Sequence, residues 1–146
     1  MKFAITGLPR SRTKWASVFL STPDTPVIHD PDFQAMEAAK AISTPLFLQV
    51  WEKHPDLKVV LIERPFADVV DSMYKFGNHL KWLNEAYNAK EQMKVKHKNL
   101  LILDFYELDA KALWEFCHGT EVTDEYVKVY EDMNIQQQSM DLRRVA

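Results

Sequence analysis

Three cations and two hydroxyls crowd into five consecutive residues near the start of the chain, Arg10-Ser11-Arg12-Thr13-Lys14. They follow the apolar run Phe3-Ala4-Ile5 and the breaker Gly7-Leu8-Pro9, and they precede a helical pattern with Trp15, Val18 and Phe19 at spacings that share a face. That order predicts a strand-to-helix joint, where free backbone N–H groups and the helix dipole attract an anion. Such a loop would surround a phosphate or a sulfate. It is not a Walker A sequence, because the Gly-Lys-Ser/Thr ending is absent. The same residues read equally well as an exposed basic turn in which Ser11 or Thr13 only caps the helix.

A second group lies in Arg64-Pro65-Phe66-Ala67-Asp68-Val69-Val70-Asp71-Ser72, after the apolar run Val59-Val60-Leu61-Ile62. Arg64 ends a predicted central strand, and Ser72 lies one helical turn beyond Asp68 on the same face. An arginine fork beside a hydroxyl can hold a second phosphate; the plainer alternative is an ion-paired Arg64 and an Asp68 that complements a helix dipole. His29, at the end of a short strand candidate and next to Asp30, is a candidate general base. It reads as well as a histidine that simply pairs with its neighbouring carboxylate. Glu107 is a lesser candidate for the base. His54, His79, His97 and His118 show no metal-ligand spacing, so no metal is expected.

These residues need elements to hold them. Strand patterns are expected over Lys2–Thr6, Thr25–Asp30, Lys58–Glu63 and Asn99–Phe105. Helices are expected over Thr13–Leu20, Asp32–Ile42, Pro45–Lys53, Phe66–Phe76, His79–Lys98 and Ala110–His118, with a last one capped by Thr123. Gly77 and Gly119 fall where C-terminal caps are wanted. Strands alternating with helices imply an α/β fold with a central parallel sheet of about four strands. Ligands of such sheets collect outside the carboxyl ends of the strands, the edge on which Arg10, His29 and Arg64 fall.

The chain has 146 residues, 47% hydrophobic and 27% charged, which suits one domain over 1–146 with a polar tail after about 135. A formal charge of −3 gives no broad positive field, so nucleic acid is not an expected partner. No run approaches the roughly 18 apolar residues of a membrane span, and a cytoplasmic protein is expected. Cys117 is the single cysteine, which excludes an internal disulfide.

Taken together the two segments resemble the sulfotransferase superfamily. Gly7 to Trp15 is similar to that family's loop for the 5′-phosphosulfate of the donor 3′-phosphoadenosine 5′-phosphosulfate (PAPS), commonly Pro-Lys/Arg-Ser-Gly-Thr-x-Trp. Arg64-Pro-x-x-Asp68-x-x-x-Ser72 resembles its 3′-phosphate motif. Leu100-Leu-Ile-Leu-Asp-Phe-Tyr106-Glu107-x-x-Ala110 resembles the strand and Tyr-Glu-Asp-Leu that follow. The resemblance implies a three-layer, P-loop-like fold and transfer of a sulfuryl group to a hydroxyl or amine of a small-molecule or carbohydrate acceptor, with no metal. It implies that Arg10 stabilises the leaving phosphate and that Arg10, Ser11, Arg12, Thr13, Lys14 and Trp15 hold the 5′ end of PAPS. Arg64 and Ser72 would hold the 3′-phosphate.

Two departures accompany the matches. Arg12 stands where the family has glycine, and no Arg-Lys-Gly segment follows; Arg143 and Arg144 lack the glycine. Two alternatives therefore stand beside the enzyme: a binding module on the same fold without catalysis, and a P-loop nucleotide phosphotransferase.

Overall fold

Five short strands, all parallel, form one sheet in the order β2-β3-β1-β4-β5. The computed structural model describes residues 1–45, 50–75 and 82–133. Along the chain run β1 (Phe3–Gly7), α1 (Thr13–Leu20), β2 (Val27–His29), α2 (Phe33–Ala38), β3 (Ala41–Ser43) and α3 (Val50–Lys53). They are followed by β4 (Lys58–Glu63), α4 (Phe66–Lys75), α5 (Leu83–Lys96), β5 (Leu100–Asp104), α6 (Ala110–His118) and α7 (Asp124–Glu131).

Every residue of β1 is buried, as a strand with neighbours on both edges and helices on both faces requires. Phe3, Ile5, Val60 and Ile62 face one helical layer, built on Trp15 and Phe19 of α1, Leu113 of α6 and Val127 of α7. Ala4, Ile42 and Val59 face the other, against Met36 of α2, Trp51 of α3 and Met93 of α5. The alternation is the two-residue period of the strands. Leu8, Val69, Met73, Leu83 and Ala86 continue the core under the loop that leaves β1. The result is the expected α/β architecture, helix layer on sheet on helix layer.

Three differences from the sequence reading have physical causes. The helix expected over Asp32–Ile42 stops at Ala38, and Ala41–Ser43 becomes a fifth strand inserted between β1 and β2. All three residues of β3 are buried. The alanines that favour a helix also fit a crowded strand position, and tertiary pairing decides between them. Strand β5, whose Leu100-Leu101-Ile102-Leu103 run has the pattern of a buried strand, lies at the sheet edge with Ile102 exposed. Helix α5, whose many Lys and Glu residues have the pattern of a solvated helix, buries Leu83, Ala86, Lys90 and Met93 along one face.

The caps expected at Thr123 and Gly119 form, and Asp32 and Asp109 cap two further helices. The Asp32, Asp109 and Thr123 side chains accept N–H bonds from Ala35, Ala112 and Tyr126, and Gly119 ends α6 at φ 70°. Pro45, the expected start of the third helix, is a turn residue, and the helix is described from Val50; residues 46–49, Gly77, the ends of the predicted helices at Phe76 and His79, and the polar tail with Arg143 and Arg144 lie outside the described residues.

Candidate functional site

The sheet order places the loop after β1 at the point where the topology reverses. From β1 the chain runs to β2 and β3 on one side, then crosses to β4 and β5 on the other. Crevices at such points open beyond the carboxyl ends of the strands. Gly7 makes a close approach there. A Cβ at this position would lie 2.7 Å from the Ile62 carbonyl oxygen and 3.3 Å from Ser11 Cβ, so only glycine lets the loop leave β1 against β4.

The loop then takes a conformation that its residue types do not favour. Arg10 and Arg12 both adopt positive φ, 67° and 66°, with Ser11 between them at negative φ. Alternating backbone handedness of this kind turns successive N–H groups toward one concavity, the arrangement that receives anions. Arg12 takes a left-handed conformation that glycine adopts far more readily. It is the N-cap of α1, and its side chain makes no capping bond. Ser11 does not cap either: its Oγ is buried without a hydrogen-bond partner, and the residue is 0% exposed. A buried hydroxyl left unsatisfied costs about 1–3 kcal/mol, which a ligand oxygen would recover. The Ser11 hydroxyl is the group of this loop that an anion oxygen would satisfy.

The second motif arrives on β4 and α4 and joins the first. Arg10 Nε donates to Ser72 Oγ across 3.3 Å, and Arg64 donates from a terminal guanidinium nitrogen to the Arg10 carbonyl at 2.7 Å. The Arg64 guanidinium lies 4.2 Å from the Phe105 ring centroid, and its Nε is buried without a partner. Among the described residues Arg64 forms no salt bridge, so the plainer ion-pair reading does not describe it. Asp68 accepts a hydrogen bond from Tyr106 Oη at 2.5 Å. The face shared by Asp68 and Ser72 thus touches both the β1 loop and the loop after β5.

His29 lies on the same edge of the sheet. Its Nε2 is 3.2 Å from Asp30 Oδ2, and its Nδ1 is buried without a partner. Burial lowers the imidazole pKa below its ordinary value. Lys14 adds to that lowering, and the Asp30 carboxylate and the Ser43 backbone oppose it. The charge of Lys14 therefore reaches His29. Asp30 holds φ 48°, and its N–H donates to the Ser43 carbonyl at 2.9 Å, while Ser43 Oγ donates to the Thr13 carbonyl. These bonds tie the ends of β2 and β3 to the start of α1.

Arg12 and Trp15 turn the other way. Trp15 is 2% exposed, stacks on Phe19 at 5.0 Å and donates its indole N–H to the Tyr130 carbonyl at 2.7 Å. The Arg12 guanidinium sits 4.0 Å from the Trp15 ring centroid. Burial lowers the Arg12 pKa and the charge of Glu131 raises it. Both side chains serve the packing of α1 against α7. Glu107 is exposed, and its N–H donates to Asp104 Oδ2.

The structure thus gathers Arg10, Ser11, Arg64 and Ser72 at the mouth of β1 and β4, and Thr13, Lys14 and His29 beside them. Two participants were not singled out from the sequence: Phe105, which underlies Arg64, and Ser43, which lies on the unpredicted strand β3. Only Phe105 carried a signal, as an aromatic residue at the carboxyl end of a predicted strand on the ligand edge. A cavity of about 130 Å3 lined by Trp51, Pro55 and His97 lies at the opposite, amino ends of β4 and β5.

No group of three or more His, Cys, Asp or Glu residues among the described ones could hold a metal ion, and no helix among them is long and apolar enough to cross a membrane. Comparison with known proteins returns no matching family model, no matching curated protein and no matching solved structure.

Proposed function

We propose that this chain is a small sulfotransferase that binds PAPS across the β1 loop and α4 and passes its sulfuryl group to a hydroxyl or amine of a small-molecule or carbohydrate acceptor. The observation that carries the reading is the bond from Arg10 Nε to Ser72 Oγ, seconded by Arg64 on the Arg10 carbonyl. Two motifs that resemble the 5′ and 3′ halves of one nucleotide site in sequence are in contact in space.

PAPS supplies an activated sulfuryl group on a phosphate that leaves with the electron pair of the broken S–O bond. The residues of the chain then have separate tasks. Arg10 and Lys14 offset the negative charge that grows on the departing phosphate, the electrostatic term that dominates such transfers. The Ser11 hydroxyl and the α1 amides hold the 5′-phosphate, and Arg64 with Ser72 holds the 3′-phosphate. His29, kept neutral by burial, receives the acceptor proton as the new bond to sulfur forms.

Calorimetric titration with adenosine 3′,5′-bisphosphate, beside ATP with and without Mg²⁺, tests the donor site, and transfer from PAPS to an acceptor panel tests the activity. Selective, metal-independent binding of the bisphosphate is expected. Magnesium-dependent ATP binding would favour a phosphotransferase instead. Against that alternative, Asp104, the acidic residue closing β5, already accepts the N–H groups of Tyr106 and Glu107.

A second reading, a binding module on the same fold without catalysis, is favoured by Arg12 in a left-handed conformation and by Trp15 closed off beneath it. Bisphosphate binding without transfer to any acceptor would establish it, and a sulfated product would remove it.

A further inference from the structure

The two residues that flank the Arg64-Pro65 pair, Glu63 and Phe66, are both held by one face of α5. Tyr87, Lys90 and Lys94 follow an i, i+3, i+7 spacing, so they lie along a single face of α5. Lys94 Nζ lies 2.5 Å from Glu63 Oε1, and Lys90 Nζ lies 3.9 Å from the same oxygen. Glu91 draws both ammonium groups together, at 3.5 Å from Lys90 and 3.6 Å from Lys94. On the other side of the Arg64-Pro65 pair, the Tyr87 ring packs edge-on against Phe66 at 5.2 Å. Lys90 Nζ sits 4.7 Å from the Tyr87 ring centroid and joins the two grips.

Lys90 is 9% exposed, an uncommon burial for a lysine, and it is kept by the carboxylates and the ring around it. The hydrogen bond with Glu63 raises the Lys94 pKa above its usual value. The main chain is fixed as well, since the Phe105 N–H donates to the Glu63 carbonyl at 2.8 Å and the Phe105 ring then underlies the Arg64 guanidinium. Glu63, Phe66 and Phe105 around Arg64 are thus held, and the buried Arg64 Nε is left without an acceptor.

We propose that the Glu63–Lys94–Lys90 clasp is a positioning device for Arg64, setting its guanidinium to receive the 3′-phosphate of the donor and so setting the preference for a 3′-phosphorylated nucleotide. The inference rests on the reading of Arg64 as a phosphate ligand. Glu63, Lys90 and Lys94 act through Arg64 and are not catalytic residues.

The test is the ratio of two affinities measured on one preparation, adenosine 3′,5′-bisphosphate over adenosine 5′-monophosphate. Arg64→Ala removes the main 3′-phosphate ligand and should lower the ratio at least tenfold, with Ser72 retaining the remainder. Glu63→Gln and Lys94→Met should each lower the ratio by roughly tenfold and leave the monophosphate affinity unchanged. Lys94→Arg, which keeps the ion pair, should restore it. A general loss of folding would depress both affinities together, so a selective change separates positioning from stability, and a parallel loss of both overturns the proposal. If Arg64→Ala lowers the ratio while Glu63→Gln and Lys94→Met preserve it, the clasp has no positioning role. If Arg64→Ala itself leaves the ratio unchanged, the assignment of Arg64 fails first.

Discussion

The Arg64 guanidinium donates to the Arg10 carbonyl across 2.7 Å, over a sequence separation of 54 residues. The contact fixes a loop residue at φ 67°, a backbone conformation that arginine reaches only at a cost of about 1–2 kcal/mol. Strain of this kind persists where the surroundings hold it, and here the holder is the other half of the candidate site. Arg10 in turn reaches Ser72, so β1, β4 and α4 are joined at one point.

Ser72→Ala should weaken binding of adenosine 3′,5′-bisphosphate by about 1 kcal/mol, roughly fivefold, through loss of one hydroxyl contact. Thermal stability should change little, because Ser72 is only partly buried. Calorimetry beside a melting curve separates the two effects, and unchanged affinity would remove Ser72 from the site.

Gly7→Ala should destabilise the fold by about 2 kcal/mol, because the new methyl meets the Ile62 carbonyl oxygen at 2.7 Å and neither backbone has room to move. Chemical denaturation measures this directly. A neutral effect would mean that the joint between β1 and the loop is looser than its geometry implies.

At Arg12 the backbone and side-chain effects can be separated. Both Arg12→Ala and Arg12→Gly lose the contact over Trp15, but only glycine accepts φ 66° without strain. The glycine variant should therefore be more stable than the alanine variant by about 1 kcal/mol in denaturant unfolding. Equal stabilities would show that the left-handed conformation is not retained.

His29 gives the fold a pH dependence of defined sign. Burial lowers its pKa in the folded chain below the unfolded value of about 6.5. Its contribution is therefore fully present above about pH 6.5 and is lost as pH falls through the lowered folded value, because the unfolded chain binds the proton more readily. His29→Gln should flatten the part of the stability profile that falls away below about pH 6.5. A slope unchanged by the substitution would assign the dependence to another group.

How much of this was legible in the sequence depended on how far each feature reaches along the chain. Four consecutive apolar residues marked β4, and the predicted Lys58–Glu63 is the observed strand. The helix caps at Asp32, Asp109, Thr123 and Gly119 are local interactions and could be expected from residue type. Strand β3 could not, because three residues carry too little periodicity and their partners lie on β1 and β2. The burial of Lys90 was equally hidden, since the carboxylate that compensates it belongs to Glu63 on β4. For the site, the order of the motifs along the chain suggested which residues to inspect, but the meeting of Arg10 with Ser72 required the pairing of β1 with β4. The spacing of Trp15 and Phe19 put both on one face of α1, but the bond from Trp15 to Tyr130 had no signal, because its acceptor lies 115 residues away.

The most direct test of the central claim is calorimetric titration of adenosine 3′,5′-bisphosphate into the wild-type chain and into Arg64→Ala, without divalent metal. Saturable binding by the wild type, weakened at least tenfold in the variant, is the expected result for a guanidinium held against a phosphate. Absence of binding by the wild type, or equal affinity in both proteins, would contradict a donor site built from the β1 loop and Arg64.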